Sequence, residues 1–227
     1  MRKMIIAIDG PAGSGKSSTA KALAKRLKLP YIDTGAMYRA VTLKAMRESV
    51  RFEDLKKLVS TAKRAKIQLK GRDPHKQKVS LDGKDVTRAI RDPELTQNVF
   101  HVAQEPLIRR ILVKKQRQMA KTGGGVMEGR DIGTVVFPNA DYKFYFEASD
   151  AIRARRRQRE LAAVGRKLAL KKVLKDITRR DLTDTRRKEG PLKKAKDALV
   201  IDTTSLTIEE TVDKMVQLIN SKPLGQR

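Results

Sequence analysis

Nine consecutive residues near the N-terminus have the types and the spacing of a loop that wraps around phosphate groups. They follow the pattern of a glycine, four further residues and then Gly-Lys-Ser. Glycines let the backbone come close to phosphate oxygens, the Lys16 ammonium can neutralise their charge, and the Ser17 hydroxyl can ligate a magnesium ion. The pattern predicts a nucleotide-binding site made of Gly10, Pro11, Ala12, Gly13, Ser14, Gly15, Lys16, Ser17 and Ser18.

The segments on either side predict the strand and the helix that position this loop. Residues 4–8 form a continuous apolar run, which is typical of a strand buried on both faces. From Thr19 to Lys28, apolar residues recur at helical spacing. A helix that starts here directs free N–H groups and the positive end of its dipole at the loop, which favours an anion. A glycine-rich turn without a ligand is the alternative, but it leaves the complete pattern unexplained.

The composition excludes several kinds of chemistry. The chain has 227 residues, enough for one α/β domain with insertions, and it contains no cysteine, which excludes a disulfide scaffold and a thiol nucleophile. His75 and His101 lie too far apart in the sequence to predict a metal cluster. No apolar run reaches the roughly 18 residues of a membrane span. The apolar start is also too short for a signal peptide. We therefore expect a cytoplasmic protein without a membrane partner.

The formal net charge of +26 calls for an explanation. Between residues 153 and 196 there are 18 lysines and arginines against 5 acidic residues, a net of +13. One interpretation is nucleic-acid binding through phosphate neutralisation. The other is an enzyme acting on polyphosphates, with arginines near its reacting groups. Aromatic residues make up only 4% of the chain and there is no base-stacking motif. This favours the enzyme and predicts no specific nucleic-acid partner.

The rest of the chain predicts alternating strands and helices with one antiparallel insertion. Residues 67–70 alternate apolar and polar, and residues 79–86 predict a β-hairpin around an Asp-Gly turn, so we expect a small lobe here. Thr207 and Glu210 have the spacing of a capping box, and residues 221–227 are expected to be a disordered tail. The other segments predict strands at 29–32, 126–128, 142–146 and 198–201, and helices at about 36–48, 52–66, from 93, 106–121, 151–165, 168–182 and 207–220.

Several segments resemble the bacterial cytidylate kinases of the nucleoside monophosphate kinase group. The phosphate loop alone fits many enzymes, but residues 33–39 (Asp-Thr-Gly-Ala-Met-Tyr-Arg) and residues 129–138 (Gly-Arg-Asp-Ile-Gly-Thr-Val-Val-Phe-Pro) are far more specific. Further on, Arg180 and Asp181 precede Asp184 and Arg187, and a Pro-Leu pair closes the segment. These pieces follow one another in the family's order.

The resemblance implies an α/β fold with a P-loop NTPase-type parallel sheet flanked by helices, an antiparallel monophosphate-binding insertion and a helical lid. It divides the single domain into a core, a lobe, a lid and a tail. It implies that the γ-phosphoryl group of ATP passes to CMP or dCMP with Mg²⁺, and that the protein is a monomer. The divisions are core 1–33, 102–150 and 168–220, monophosphate-binding lobe 34–101, lid 151–167 and tail 221–227.

The resemblance also assigns roles to individual positions. Arg39, Arg109 and Arg130 match positions that hold the acceptor's α-phosphate, which suits the planar guanidinium group. Cytosine presents an N4 amino donor, so an acceptor such as a carboxylate is expected opposite it. The matching positions for the base are Asp131, Asp184 and Arg187, with Thr34 beside the acceptor nucleotide. Among the lid arginines we choose Arg156 and Arg180 as contacts of the transferring phosphoryl group. Ser17 is the predicted metal ligand.

Three questions stay open at this point. No acidic strand that would support the metal is obvious, and Asp33 either holds magnesium through water or orients the acceptor segment. Phe100 stands where the family usually has a serine that contacts the base, so that hydrogen bond is either lost or supplied by His101. A different small-metabolite kinase and a basic nucleic-acid-binding protein are the competing functions.

Overall fold

A parallel five-stranded sheet forms the centre of the computed structural model, which describes residues 4–71, 73–121, 123–163 and 165–221. All of its neighbouring strands run parallel, which confirms the predicted α/β class. Numbered in chain order, its strands lie side by side as β2 (Tyr31–Asp33), β6 (Gly125–Gly129), β1 (Ile5–Asp9), β7 (Tyr142–Glu147) and β8 (Leu199–Asp202).

The sheet is buried on both faces, as the apolar run of β1 predicts. Ile6, Ala7 and Ile8 have no exposed surface. Helices α1 (Lys16–Arg26) and α8 (Ile208–Ser221) pack on one face, and α5 (Pro106–Ala120) packs on the other. Because β1 lies between β6 and β7, the carboxyl ends of these three strands meet at one edge of the sheet.

The antiparallel insertion has the predicted form. Strands β3 (Ile67–Lys70), β4 (Lys78–Leu81) and β5 (Lys84–Asp85) make a separate sheet. Asp82 and Gly83 at the hairpin turn both have positive φ, 50° and 86°, as a type I′ turn requires. The sheet shares a hydrophobic cluster with α2 (Thr34–Arg47), α3 (Leu55–Arg64), α4 (Pro93–Gln104) and part of α5.

Two further helices, α6 (Asp150–Ala162) and α7 (Leu170–Thr185), pack on each other. Their shared cluster has only Ala154, Val173 and Ile177 as buried members, which is a small core for a helix pair. The predicted division between a lid at 151–167 and a core from 168 stays a prediction. The packing groups α7 with α6.

The predicted elements exist, with shifted ends. Helix α1 starts at Lys16 instead of Thr19, so the lysine of the loop is already helical. Helix α3 starts at Leu55 instead of Phe52, because the Asp54 carboxylate caps it by accepting the Lys57 N–H at 3.1 Å. Helix α7 continues three residues past its predicted end at Leu182. The helix therefore includes Asp184, a candidate site residue that was predicted to lie beyond its end.

The C-terminal unit also agrees with its predicted cap. Thr207 Oγ1 accepts the Glu210 N–H at 3.2 Å, and Glu210 Oε2 accepts the Thr207 N–H at 2.8 Å, which confirms the capping box. The helix includes Ser221, the first residue of the predicted tail, and the rest of that tail lies outside the described residues. Within the described ranges, no helix combines the length and the apolar character needed to cross a membrane.

Candidate active site

The phosphate loop passes from the end of β1 into the first turn of α1. Gly15 begins that helix in the left-handed region, at φ 85°. Gly13 has φ 73°, and a Cβ atom there would lie 2.8 Å from the carbonyl oxygen of Arg153. Ser14 Oγ donates to the Pro11 carbonyl at 3.0 Å, which closes the loop on itself. The glycines are therefore required by backbone conformation and by a close neighbour.

Lys16 is buried inside this loop. Its Nζ donates to the Pro11 carbonyl at 2.5 Å and to Ser14 Oγ at 3.3 Å. Burial, reinforced by the charges of Arg130 and Arg180, lowers the pKa of Lys16 to about 7, although Glu128 opposes the shift. In the described part of the chain Lys16 is not in an ion pair, so its ammonium group is held only by neutral oxygens.

Arg130 and Arg180 lie close enough to Lys16 to lower its pKa, and Arg39 acts in the same way on Arg180. Burial and the neighbouring Arg130 lower the pKa of Arg180 to about 10, and no hydrogen bond joins Arg180 to another described residue. The pKa of Arg39 is lowered by burial, by Arg130 and by other arginines, and its guanidinium donates to Thr96 Oγ1 at 2.7 Å. Cations that depress one another's pKa values form a site for a ligand with several negative charges.

The structure places Arg109 in a different setting from Arg39 and Arg130. It forms a buried ion pair with Asp131, donates to the Ala103 carbonyl at 3.1 Å and lies 5.5 Å from the ring centre of Tyr38. The predicted trio of phosphate-binding arginines is thus divided. Arg109 and Arg130 are each held by a carboxylate, from Asp131 and Asp184, while Arg39 makes no ion pair with a described residue.

Asp184 lies between two arginines. Arg130 Nε donates to its Oδ2 at 2.9 Å, and Arg187 forms an ion pair with its Oδ1. Burial alone raises the pKa of Asp184, but Arg130, Arg180 and Arg187 outweigh burial and hold that pKa below its usual value. Because Arg130 also acts on Lys16, Asp184 connects the phosphate side of the site with the segment after α7.

Gly190 brings that segment onto the Arg109–Asp131 pair. It has φ 59°, and a Cβ atom there would collide with the Asp131 carboxylate and the Arg109 guanidinium. Arg187 Nη1 donates to the Gly190 carbonyl at 3.3 Å, so the same arginine fixes this turn and Asp184. The result is an enclosed polar wall beside the cation cluster.

Glu128 is a site residue that the sequence did not reveal. It lies near the end of β6, paired with Ile8 of β1, and its Oε1 accepts from Ser17 Oγ at 2.5 Å and from the Tyr31 hydroxyl at 3.1 Å. No acidic strand beside the metal was obvious in the sequence, and β6 is the strand that brings an acidic side chain to Ser17. The available signal was the apolar run before Glu128, which predicted a strand but not its place beside β1.

The other residues on this side have defined partners. Asp33 Oδ1 accepts the Ala36 N–H at 2.9 Å and caps α2, and burial together with Glu128 raises the pKa of Asp33. This contact supports the interpretation that Asp33 orients the acceptor segment. Thr34 Oγ1 donates to the Glu128 carbonyl at 2.7 Å. Among the described residues, no group of three or more histidine, aspartate or glutamate side chains is placed to hold a metal ion.

The two chosen lid arginines occupy different places. Arg180 belongs to the cation cluster, whereas Arg156 donates to the Thr203 hydroxyl at 3.0 Å and to the Thr203 carbonyl at 2.6 Å. Thr203 in turn donates to the Ser14 carbonyl at 3.0 Å. Arg156 is therefore beside the phosphate loop, next to the end of β8, and the structure does not bring it together with Arg180.

The position that departs from the family pattern is in an aromatic stack. The His101 ring stacks on the Phe52 ring with ring centres 4.8 Å apart. The Phe100 ring is tilted against the same His101 ring, with ring centres 3.8 Å apart. Phe100 is 46% exposed. Replacement of the missing serine by His101 stays a prediction.

The fold and the loop together define a class of protein. A glycine loop between a central parallel strand and a helix, facing a cluster of cations, is the arrangement of a P-loop enzyme that handles nucleotide phosphates. A solved structure of an uncharacterised protein from Eubacterium ventriosum has the same fold, with a TM-score of 0.53 at 13% identity over 96% of this chain and 99% of the other.

Sequence relationships identify the family. The family model described as cytidylate kinase matches residues 6–221. A cytidylate kinase from Caldanaerobacter subterraneus subsp. tengcongensis is 49% identical over 97% of this chain and 96% of the relative. One from Bacillus subtilis is 45% identical over 97% of this chain and 98% of the relative. The chain belongs to the cytidylate kinase family, and it is a phosphotransferase.

Proposed function

We propose that this protein transfers the γ-phosphoryl group of ATP to CMP or dCMP, giving ADP and CDP or dCDP. The observation that carries the proposal is the group of cations formed by Lys16, Arg39, Arg130 and Arg180 beside the phosphate loop, in which Arg130 and Arg180 lower the pKa of Lys16, and Arg130 and Arg39 lower the pKa of Arg180. Phosphoryl transfer needs positioning and charge stabilisation more than covalent chemistry. We also propose that the protein acts in the cytoplasm and as a monomer, as the resemblance to its family implies.

The phosphate loop is the proposed ATP site. Lys16 is held by the Pro11 carbonyl at 2.5 Å, and a phosphate oxygen is a stronger partner for an ammonium group than a neutral carbonyl. Nucleotide binding is therefore expected to turn Nζ towards the phosphates and to restore its positive charge. Free N–H groups at the start of α1 bind the same oxygens.

The residues beside the loop fit a magnesium ion. When bound, Mg²⁺ neutralises charge on the transferred group and on the leaving phosphate. The Ser17 hydroxyl would hold it, and the remaining ligands come from phosphate oxygens and water, as is usual for this ion. Glu128 holds Ser17 at 2.5 Å and accepts from Tyr31, so it orients the hydroxyl ligand and attracts the cation.

Glu128→Gln tests this assignment, because it keeps the shape of the side chain and removes its charge. We expect the Mg²⁺ concentration for half-maximal activity to rise by about tenfold, in the range seen when outer-shell ligand partners are changed. Titration of Mg²⁺ at constant ATP gives the measurement. Glu147→Gln, an exposed residue at the end of β7, is the matched control. An unchanged Mg²⁺ requirement in folded Glu128→Gln would contradict the assignment.

The acceptor is proposed to bind between the cation cluster and the Arg109–Asp131 pair. Arg39 and Arg130 are proposed to hold its α-phosphate, since Arg130 acts electrostatically on Lys16 and both arginines act on Arg180. Asp131 offers a carboxylate acceptor for the cytosine N4 amino group. The resemblance assigns Arg109 to the α-phosphate; because Asp131 holds it, we propose that it offers donors to N3 and O2 of the base instead. Asp184 and Arg187 lie between these two parts of the site.

Arg180 is proposed to stabilise the charge that develops on the transferring phosphoryl group. Its side chain has no hydrogen-bond partner among the described residues, and its position in α7 lets α6 and α7, which we call the lid helices, cover the reacting groups. Such a cover excludes water and limits hydrolysis of ATP. Arg156, held by Thr203 beside the loop, is proposed to contact the donor nucleotide.

A coupled assay with ATP and each of CMP, dCMP, UMP and AMP tests the function. We expect CMP and dCMP to be the best acceptors, because the base wall offers a carboxylate to an amino group at C4. Preference for AMP, or retention on nucleic acid at physiological salt without kinase turnover, would contradict the proposal.

A further inference from the structure

One residue of the phosphate loop, Ala12, is held through both of its backbone polar groups by the lid helices. Arg153 Nη1 of α6 donates to the Ala12 carbonyl at 3.0 Å. Asp181 Oδ1 of α7 accepts the Ala12 N–H at 3.4 Å. The two side chains also contact each other, since Arg153 Nη1 donates to Asp181 Oδ2 at 2.5 Å. We call Arg153, Asp181 and Ala12 the loop clasp.

The clasp is a buried and specific arrangement. Arg153 is 5% exposed, in a protein that leaves most of its arginines in contact with water. Its second amino group donates to Asp150 at 2.6 Å, so the charge is balanced by two carboxylates. Its own carbonyl lies so close to Gly13 that a Cβ atom there would be 2.8 Å away. The first turn of α6 is therefore packed directly against the loop.

The clasp also determines where an arginine of the reaction lies. Asp181 directly follows Arg180 in α7. Because Asp181 is bound to the loop, the Cα atom of Arg180 is also held at a set distance from Lys16. Arg180 helps to lower the pKa of Lys16, so the two cations lie near each other beside the loop. The neighbouring helical turn is held separately, through the Asp184–Arg130 contact.

We propose that Arg153 and Asp181 are positioning residues that set the distance between the phosphate loop and Arg180, by clasping Ala12 from two lid helices. This inference rests on the proposed phosphoryl transfer. It assigns to Arg153 a role apart from phosphate contact, because Nη1 donates to Ala12 and Asp181 and Nη2 donates to Asp150, while the remaining donor, Nε, is buried without a partner among the described residues. It also limits lid movement to the part of the helix pair beyond the clasp, between residues 154 and 179.

Asp181→Asn is the central test, because it keeps the size and the acceptor oxygen while removing the charge that holds Arg153. We expect kcat to fall by about 10- to 100-fold, since small misplacements of a reacting geometry have effects of this size. The KM for CMP is expected to stay within about twofold, because the acceptor contacts are untouched. ATP hydrolysis without an acceptor should rise relative to transfer, because a displaced arginine excludes water less well.

A double-mutant cycle distinguishes positioning from general stabilisation. Arg153→Lys keeps a charge but cannot reach Ala12 and Asp181 with one planar group. If the two residues act as one clasp, the double variant should lose little more kcat than either single variant. Asp176→Asn is the matched control, since it makes the same change on an exposed side of α7. It should behave as wild type.

The outcomes separate this inference from the proposed function. Wild-type kcat and KM for ATP in folded Asp181→Asn would overturn the clasp while leaving the kinase activity established. Multiplicative losses in the double variant would overturn it as well. A loss of activity that matches the unfolded fraction, measured by thermal unfolding, would reduce Arg153 and Asp181 to structural residues. Absence of cytidylate kinase activity in the wild-type protein would instead overturn the proposed function.

Discussion

The candidate site has a donor side, which is the proposed ATP site, and an acceptor side, which is the proposed site for the nucleoside monophosphate. The cations of the two sides differ in whether a carboxylate is paired with them. On the donor side, Lys16 is held by a carbonyl and a hydroxyl, and Arg180 has no hydrogen-bond partner among the described residues. On the acceptor side, Arg109 is paired with Asp131, and Arg187 is paired with Asp184. Arg130 belongs to both, because it lowers the pKa of Lys16 and binds Asp184.

This difference follows from what each half has to bind. A triphosphate brings several negative charges, so cations that repel one another become favourable neighbours once it is bound. A cytosine ring is neutral, and it is recognised by donors and acceptors in fixed directions. A carboxylate that holds an arginine supplies both the acceptor and the fixed orientation. Cations without a carboxylate partner therefore indicate the part of the site that binds phosphate charge. Cations paired with a carboxylate indicate the part that recognises the base through directed hydrogen bonds.

Removing the central cation of the donor side should have the largest effect. We expect Lys16→Ala to lower kcat by about 10³-fold or more with every acceptor, since one charged group of a phosphoryl-transfer site contributes on this scale. Steady-state assays with CMP and UMP give the measurement. Lys25→Ala changes an exposed lysine of the same helix and should leave kcat unaffected. A selective loss with only one acceptor would break the proposed division between the halves.

Asp131→Asn should change the choice of acceptor. The amide can offer either an acceptor to cytosine or a donor to the O4 of uracil, so the preference for CMP over UMP should fall by about 10- to 100-fold, the worth of one discriminating polar pair. The measurement is the ratio of kcat/KM for the two acceptors. Asp85→Asn, in the exposed hairpin, is the control. If transfer to both acceptors fell equally, Asp131 would not read the base.

Gly190→Ala should weaken acceptor binding alone. Its Cβ atom would press on Arg109 and Asp131, and its positive φ disfavours a side chain. We expect the KM for CMP to rise by about tenfold while the KM for ATP stays constant. Gly83→Ala has the same backbone strain at φ 86° but meets no atom within 4 Å, so it separates strain from collision. An equal effect of both substitutions on CMP would assign the result to strain.

The smallest expected effect is the dependence of the free energy of unfolding on pH that the protonation of Lys16 causes. Folding lowers the pKa of Lys16 from 10.5 to about 7, so between these pH values the unfolded chain binds more protons than the native protein. The free energy of unfolding of the ligand-free protein should therefore rise with pH above 7, by at most about 1.4 kcal/mol per pH unit from this group. Urea unfolding at pH 7.5, 8.5 and 9.5 measures the slope.

Lys16→Met should flatten that slope, and Lys25→Met should not. Asp9 does not contribute to the slope above pH 7. Burial raises its pKa from 3.8 to about 7, so it makes the free energy of unfolding fall with rising pH, and it does so below pH 7. A slope that is the same in Lys16→Met and wild type would mean that Lys16 keeps its charge in the ligand-free loop. The contrast between unpaired and paired cations would then lose its electrostatic basis.

Most of the fold was readable from periodicity and turn chemistry. The apolar run of β1, the helical spacing after it and the Asp-Gly turn at residues 82–83 predict elements that the structure contains. Helix ends were less accessible, because they depend on caps such as Asp54, whose partner is a backbone N–H. The site was predicted as a set of residue types. Their grouping depends on tertiary contacts that spacing does not encode.

Arg109 and Glu128 show where sequence reasoning stops. Arg109 lies 22 positions before Asp131, and only the packing of α5 against the end of β6 brings the two together. Glu128 reaches Ser17 across 111 positions, because β6 is the neighbour of β1 in the sheet. Strand order decides which acid stands beside the loop. The motif around residues 129–138 indicated that this region is functional without indicating the role of the residue before it.

The position of β1 in the sheet has a consequence for how the chain acquires its structure during synthesis. β1 pairs only with β6 and β7, beginning at Ile5 with Gly125 and at Ile6 with Tyr142. A nascent chain that has not yet exposed residue 125 therefore contains the whole phosphate loop but neither strand that anchors it. Such long-range pairing is slow to form and leaves apolar segments exposed. The ability to hold a nucleotide should thus arise late, after more than half of the protein has left the ribosome.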